Sequence, residues 1–513
     1  MKGTNLIWTL IAFAVYLLVM IVIGAMFMKK NKNSEDYFLG GRQIGGWVAA
    51  LSAQASDMSG WLLMGLPGTI YALGTGQIWV AVGLFIGTVC NWLFVASRLR
   101  RYTIRANNAL TFPGYLENRF HDEKKLMLLI SSIVVVIFFL VYTASALAAG
   151  GKLFNSVFGI NYHIALTIGV AVILVYTFMG GFLAVCTTDF IQGMLMLIGL
   201  LTVPIIALFI VKPSEVSGLL NSSGVNYSDF INPLKEGDKS ISPITVISGL
   251  AWGLGYFGMP HILVRFMAVK DEKELRKSKV IAIVWVALSL SFACFIGIIG
   301  RAYLYSKDIV LDTLETENVF IEMIKNVFTK DIAIPFIGGL FLCGILAAIM
   351  STADSQLLVT ASSVSEDIYK GIINPKAEAK KVLMLSRITV IAVAGIAYVV
   401  AWNPNSSIMD LVSDAWAGLG SAFGPLILLS LYWKRINLPG AISGMISGGL
   451  TVIIWDYIPL VNGKTLYKHT GLYSLALGFA ISLVMIVIVS LCTKEPSEEI
   501  VTEFDDVANK RIS

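Results

Sequence analysis

Between Ala49 and Trp61 an otherwise apolar stretch carries Ser52, Gln54, Ser56, Asp57, Ser59 and Gly60. A carboxylate inside a membrane segment costs about 2.5–3.5 kcal/mol on insertion scales, so it faces protein or water and marks an ion or proton pathway. The plain alternative is an Asp that only caps a broken half-helix. The hydroxyls and the glycine around Asp57 favour a site.

A second stretch, Ser248 to Pro260, places Gly253, Gly255 and Gly258 in the spacing GxGxxG. A dinucleotide fingerprint needs a strand before it and a helix after it in a soluble βαβ unit, and neither context exists here. The glycines and Pro260 instead permit an unwound helix whose bare backbone lines a cavity, where such backbone is tolerated at membrane depth. A third stretch, Ala347 to Ser355, offers hard oxygens. One helical turn supplies Ser351 Oγ, Thr352 Oγ1 and the Ala348 carbonyl, and an unwound segment near Asp57 adds the carbonyls of Ala55 and Met58. Sodium suits such a set; the competing reading is that Ser351 and Thr352 only hydrogen-bond between helices. Asp189, beside Thr187 and Thr188, reads as the N-cap of a helix start more than as an ion ligand. Trp61 and Trp252 flank the two interrupted segments, Tyr256 lies one turn after Trp252, and Tyr142 falls in another apolar run.

The elements that position these residues follow from composition. The chain has 513 residues, 56% hydrophobic and only 14% charged. Soluble chains average about 25% charged residues, so disorder is excluded, a soluble enzyme is not expected, and spans of about 20 apolar residues are. The pattern predicts an all-α membrane protein of thirteen spans, from 5–28 to 470–492. The second (45–72), seventh (244–268), ninth (333–367) and eleventh (407–433) are interrupted by polar residues, Gly or Pro. Interrupted spans at matching positions of two halves point to the midplane site of a secondary transporter. Spans 2–6 and 7–11 are two runs of five. Five is odd, so the second run enters from the opposite side as an inverted repeat.

The expected division is therefore an N-terminal helix and loop over 1–43, a first repeat over 44–211 and an outer loop over 212–243. A second repeat over 244–433, two further helices over 434–492 and a tail over 493–513 complete it. Of 38 basic residues, 27 fall in one set of loops, including Lys29, Lys30, Lys32 and Arg42 in 29–44, seven in 98–125 and six in 265–279. By the positive-inside rule the N-terminus is outside and the C-terminus cytoplasmic, in the cell membrane. The net charge of +5 is then a topology signal and not a nucleic-acid surface. The tail is too short for an appended soluble domain. The five cysteines read as small buried hydrophobes, the four histidines are isolated, and no cofactor, transition metal or obligatory protein partner is indicated. HExxH, GxSxG and GxxxxGK[ST] are all absent, so neither enzyme nor ATP-driven pump is expected. Gly440, Gly444 and Gly448 read as close helix packing.

The three stretches together resemble the sodium/solute symporter family and, within it, the bacterial carriers of proline. The resemblance runs through Tyr142, Thr188-Asp189 and Gly40-Gly41-Arg42 and covers nearly the whole chain. It implies the LeuT-like five-plus-five fold. It also implies sodium at Ala55, Met58, Ala348, Ser351 and Thr352, with Asp57 close by and needed for sodium affinity. Proline would lie among Trp61, Tyr142, Trp252, Tyr256 and Pro260. Some relatives have another sodium site near the residue matching Asp189, which leaves a second ion or a gate open there. Sodium, proline and the lipid bilayer are the implied partners.

Overall fold

The computed structural model describes residues 3–28, 34–179, 181–461 and 463–509. Lys29, Lys30 and Lys32 lie outside them, as do two of the three basic residues of the tail. Nearly all of the described chain is helical, because a segment crossing lipid must satisfy its backbone internally. The only strands among the described residues are the two-residue pair β1 (Lys235–Glu236) and β2 (Lys239–Ser240), antiparallel in the 212–243 connection.

In chain order the long elements are α1 (Thr4–Met28), α2 (Gly46–Asp57), α3 (Leu66–Leu73), α4 (Thr75–Arg105) and α5 (Leu126–Phe158). Next come α6 (Tyr162–Met179), α7 (Phe182–Val211), α8 (Pro243–Gly258), α9 (Pro260–Ala268) and α10 (Glu272–Tyr305). The last are α11 (Pro335–Ile373), α12 (Ala379–Val400), α13 (Ile408–Tyr432), α14 (Leu438–Tyr457), α15 (Ser474–Cys492) and α16 (Glu498–Ala508). Ten helices are long and apolar enough to cross a membrane, or 11 when α8 and α9 are one span bent by 46°. Two of the thirteen expected spans, 45–72 and 163–180, are shorter apolar pieces: the broken α2–α3 segment and α6.

Of the four spans with interruptions, the second and seventh break among the described residues and the ninth and eleventh do not. After α2, Met58 leaves the helix at φ −86°, ψ 81°, and a π turn over Trp61–Gly65 leads into α3. Between α8 and α9, Met259 is extended at φ −89°, ψ 102°. The polar ninth span is instead one continuous rod in which every residue from 341 to 362 is buried, and α13 continues through Pro425. Ile44, just before α2, pairs with the strand-like end of α9: its N–H donates to the Ala268 carbonyl at 3.3 Å, and Lys270 N–H donates back at 3.1 Å. The second span begins where the seventh ends, so the two broken spans run past each other in opposite directions, as an inverted repeat requires.

Several expectations change at this level. The sixth span starts at Phe182, so Asp189 lies two turns inside α7 and caps nothing. Arg265, counted with the 265–279 loop, is buried inside α9. The 98–125 loop is partly the end of α4 and a short helix over Phe112–Arg119. Cys492 is exposed and Cys90 only half-buried, against the expectation of burial for all five. The glycine stripe of α14 packs as expected: a Cβ on Gly440 would stand 1.9 Å from Ser490 Oγ, and one on Gly444 2.1 Å from Ile486 Cγ1. Asp271 starts α10 as a true N-cap, accepting from Glu274 N–H at 2.8 Å, and that bond holds its carboxyl below the usual range.

Candidate functional site

The site grows from the C-terminal end of α2. The last carbonyls of a helix have no partner within it and carry the negative end of its dipole, so they attract a cation. Here the Ala55 carbonyl points at α11 and accepts from Ser351 Oγ at 2.7 Å; the same hydroxyl lies 3.2 Å from the Ala348 carbonyl. Three of the five expected sodium ligands thus meet at one atom. Thr352, next in sequence, is fully buried with its Oγ1 unpartnered, an oxygen free to bind an ion. Met58 is fully buried at the break, its sulfur accepting from Ser289 Oγ of α10 at 3.4 Å.

Asp57 connects this oxygen cluster to the aromatics. Its carbonyl accepts from Trp61 Nε1 at 3.0 Å and lies 3.4 Å from Tyr142 OH, while Tyr256 OH donates to its Oδ2 at 2.5 Å. Its Oδ1 is buried without a partner. Three of the five aromatic and proline positions are therefore joined through one residue. Their polar tips are spent on Asp57, which leaves the ring faces as the apolar surface a small, partly apolar solute packs on.

Trp252 stands apart. It stacks on Tyr473 at 5.1 Å between ring centres and lines a cavity of about 440 Å³ with Thr245, Ser248, Ser413 and Asp410. That cavity runs along α3 from Leu66 to Leu73, and Asp57, Trp61, Tyr142 and Tyr256 are not among the residues that line it. Pro260 opens α9, where a missing N–H costs nothing because first-turn donors have no helical partner.

Residues beyond the expected set complete the site. Trp416 of α13 donates its Nε1–H to the Trp252 carbonyl at 2.8 Å and meets the Tyr256 ring edge-on at 5.1 Å. Asn91 of α4 donates to the Tyr256 carbonyl at 3.0 Å. These hold the 3₁₀ segment of α8 in shape, and no spacing in the sequence links them to it. Asp189 joins a separate network: Ser52 Oγ donates to its Oδ2 at 2.6 Å, and Arg265 Nη2 pairs with the same oxygen at 3.2 Å. Arg265 carried a readable signal, a lone charge in the run Ile262-Leu263-Val264-Arg265-Phe266-Met267.

Comparison with known proteins adds a lineage to this geometry. Residues 37–448 match the Sodium:solute symporter family. The osmoregulated proline transporter OpuE of Bacillus subtilis is 44% identical over 490 residues, 95% of this chain and 96% of that one. A sodium/proline symporter of Staphylococcus aureus is 42% identical over 508 residues, covering 97% of this chain and 95% of its own. Among solved structures, a Na+-coupled sialic acid symporter in a substrate-bound outward-open state superposes with a TM-score of 0.77. It is 20% identical and covers 96% of this chain and 99% of that one. The fold is LeuT-like.

Proposed function

The chain belongs to the Sodium:solute symporter family, a sodium-coupled carrier and not an enzyme, and from that premise we propose that its solute is L-proline, taken up by alternating access. The observation that carries the reading is the double use of Asp57. Its backbone carbonyl and carboxylate hold Trp61, Tyr142 and Tyr256, while two residues earlier the Ala55 carbonyl meets Ser351. An ion seated at Ala55, Met58, Ala348, Ser351 and Thr352 fixes the break after α2, and the break fixes the aromatics. Sodium therefore organises the solute pocket before proline arrives. The proline ring packs on Trp61, Tyr142, Trp252, Tyr256 and Pro260, and its carboxylate faces the N-terminal end of the half-helix that opens at Gly60. Coupling is reciprocal, about 1–3 kcal/mol for each ligand on the other.

In the orientation argued from basic residues, with the N-terminus outside and the C-terminus cytoplasmic, the cavity before Trp252 is the outer vestibule. One sodium entering down about 100 mV yields about 2.3 kcal/mol, and a tenfold sodium gradient adds about 1.4 kcal/mol. Together they support accumulation of a few hundredfold at about 1.4 kcal/mol per decade.

The test is labelled proline uptake into proteoliposomes with and without an imposed sodium gradient, against competing amino acids, sugars and carboxylates. Sodium-driven uptake that only proline analogues inhibit is expected. Uptake indifferent to sodium but driven by a pH jump sinks the coupling, and stronger competition by another solute sinks the proline assignment. Trp252→Ala should weaken proline more than sodium; equal loss of both would mean a misfolded carrier.

A further inference from the structure

The GxGxxG spacing of the seventh span serves its packing against α13. Trp252–Gly258 is a 3₁₀ run of seven residues. Bonds in such a run have poorer geometry than in an α turn, and runs beyond three or four residues are uncommon, so this one needs support from outside. The buried Trp416 of α13 supplies it. A Cβ on Gly255 would fall inside the indole, 2.5 Å from its Cε2. One on Gly258 would stand 2.6 Å from the Leu419 carbonyl oxygen, and one on Gly420 2.8 Å from Gly255 Cα. The glycines let an indole lie directly on main chain. Its Nε1–H donates to the Trp252 carbonyl at 2.8 Å, and its ring meets the Tyr256 ring at 5.1 Å. Tyr256 OH in turn donates to Asp57 Oδ2 at 2.5 Å, two residues beyond the Ala55 carbonyl of the oxygen cluster.

An indole is a rigid bicycle with one donor and no acceptor. Here it fixes both ends of one turn, the Trp252 carbonyl through its N–H and the Tyr256 side chain through its ring. We propose that Trp416 is a positioning residue for coupling. By setting Trp252 and Tyr256 together, it lets a solute packed on those rings and a sodium seated beyond Asp57 strengthen each other's binding. The proposal rests on the assignment of Trp252 and Tyr256 to the solute. The alternative is that the indole only fills the space left open by Gly255.

The two separate in the binding of labelled proline to purified carrier, measured without sodium and at saturating sodium. In the wild type sodium should tighten proline about 5- to 150-fold. Trp416→Phe keeps a ring against Gly255 but has no N–H. Its factor should fall towards one, while its sodium affinity without proline stays within about threefold of wild type. Trp416→His should recover part of the factor, because its Nε2–H can take the place of the indole N–H. A full factor in folded Trp416→Phe overturns the proposal and leaves the proline reading standing. Equal loss of sodium and proline binding in both variants, as in carriers that do not fold, assigns the indole to packing and overturns it as well. A wild-type factor of one removes the proline reading and this proposal together.

Discussion

Asp57 and Asp189 are both fully buried in broken or bundled spans, both make one short bond to a hydroxyl, and both leave Oδ1 without a partner. They differ in what covers the charge. Asp189 has the Arg265 guanidinium at 3.2 Å, whereas Asp57 has only the neutral phenol of Tyr256 and lies beside the open carbonyl end of α2. A carboxylate already matched by a fixed cation holds helices together in every state of a transport cycle. One matched only by dipoles is complete when a mobile cation arrives. The contrast separates a scaffold carboxylate from a working one by partner chemistry rather than by burial.

The largest effect should come from uncovering the fixed pair. Asp189→Asn leaves the Arg265 charge buried alone and should cost about 3–5 kcal/mol of stability, read as a lowered unfolding temperature in detergent. Asp57→Asn breaks no ion pair and should unfold close to wild type. Equal destabilisation by the two changes would erase the distinction. Asp57→Asn should act on the ion instead: loss of a charged oxygen, about 1.5–3 kcal/mol, raises the sodium concentration for half-maximal uptake by roughly 10- to 150-fold. Unchanged sodium dependence there would remove Asp57 from the site. Ser351→Ala removes the hydroxyl shared by the Ala55 and Ala348 carbonyls, and should raise the sodium requirement by about fivefold to tenfold, near 1 kcal/mol. Tyr256→Phe deletes one neutral donor to Asp57 and should shift the sodium requirement least, about threefold. A shift larger than that of Ser351→Ala would place the phenol, and not the hydroxyl, at the ion.

Much of this was legible in the chain. Polar residues in apolar runs cost energy, so Asp57, Ser351 and Thr352 stood out, and the oxygen cluster at Ser351 forms where the spacing placed it. Gly60 marked the first break, and Gly258 with Pro260 the second. The pairing of Asp189 with Arg265 was not legible, because the two are 76 residues apart and meet only when α7 and α9 pack. The start of the sixth span was misplaced for a related reason: Asp189 beside Thr187 and Thr188 looks like a cap, yet the helix already begins at Phe182 and runs through all three. Polarity in the ninth span suggested a break that the packing removed, since buried hydroxyls such as Thr360 and Ser362 bond carbonyls of their own helix at 2.7 and 2.8 Å. Trp416 and Asn91 grip the seventh span through its backbone, and a backbone contact leaves no trace in residue type.

The bent α8 lies against α4 with hardly any side chain between them. A Cβ on Gly87 would stand 2.2 Å from the Gly253 carbonyl oxygen, one on Gly253 2.2 Å from the Gly83 oxygen, and one on Gly83 2.6 Å from the Gly249 oxygen. Interlocked side chains form ridges and grooves that hold two helices in register. Four glycines on facing surfaces instead let backbone meet backbone, and the Asn91 amide of α4 ties the far end of the contact to the Tyr256 carbonyl. A single methyl group at this joint would have to push two main chains apart, with no side chain able to step aside for it.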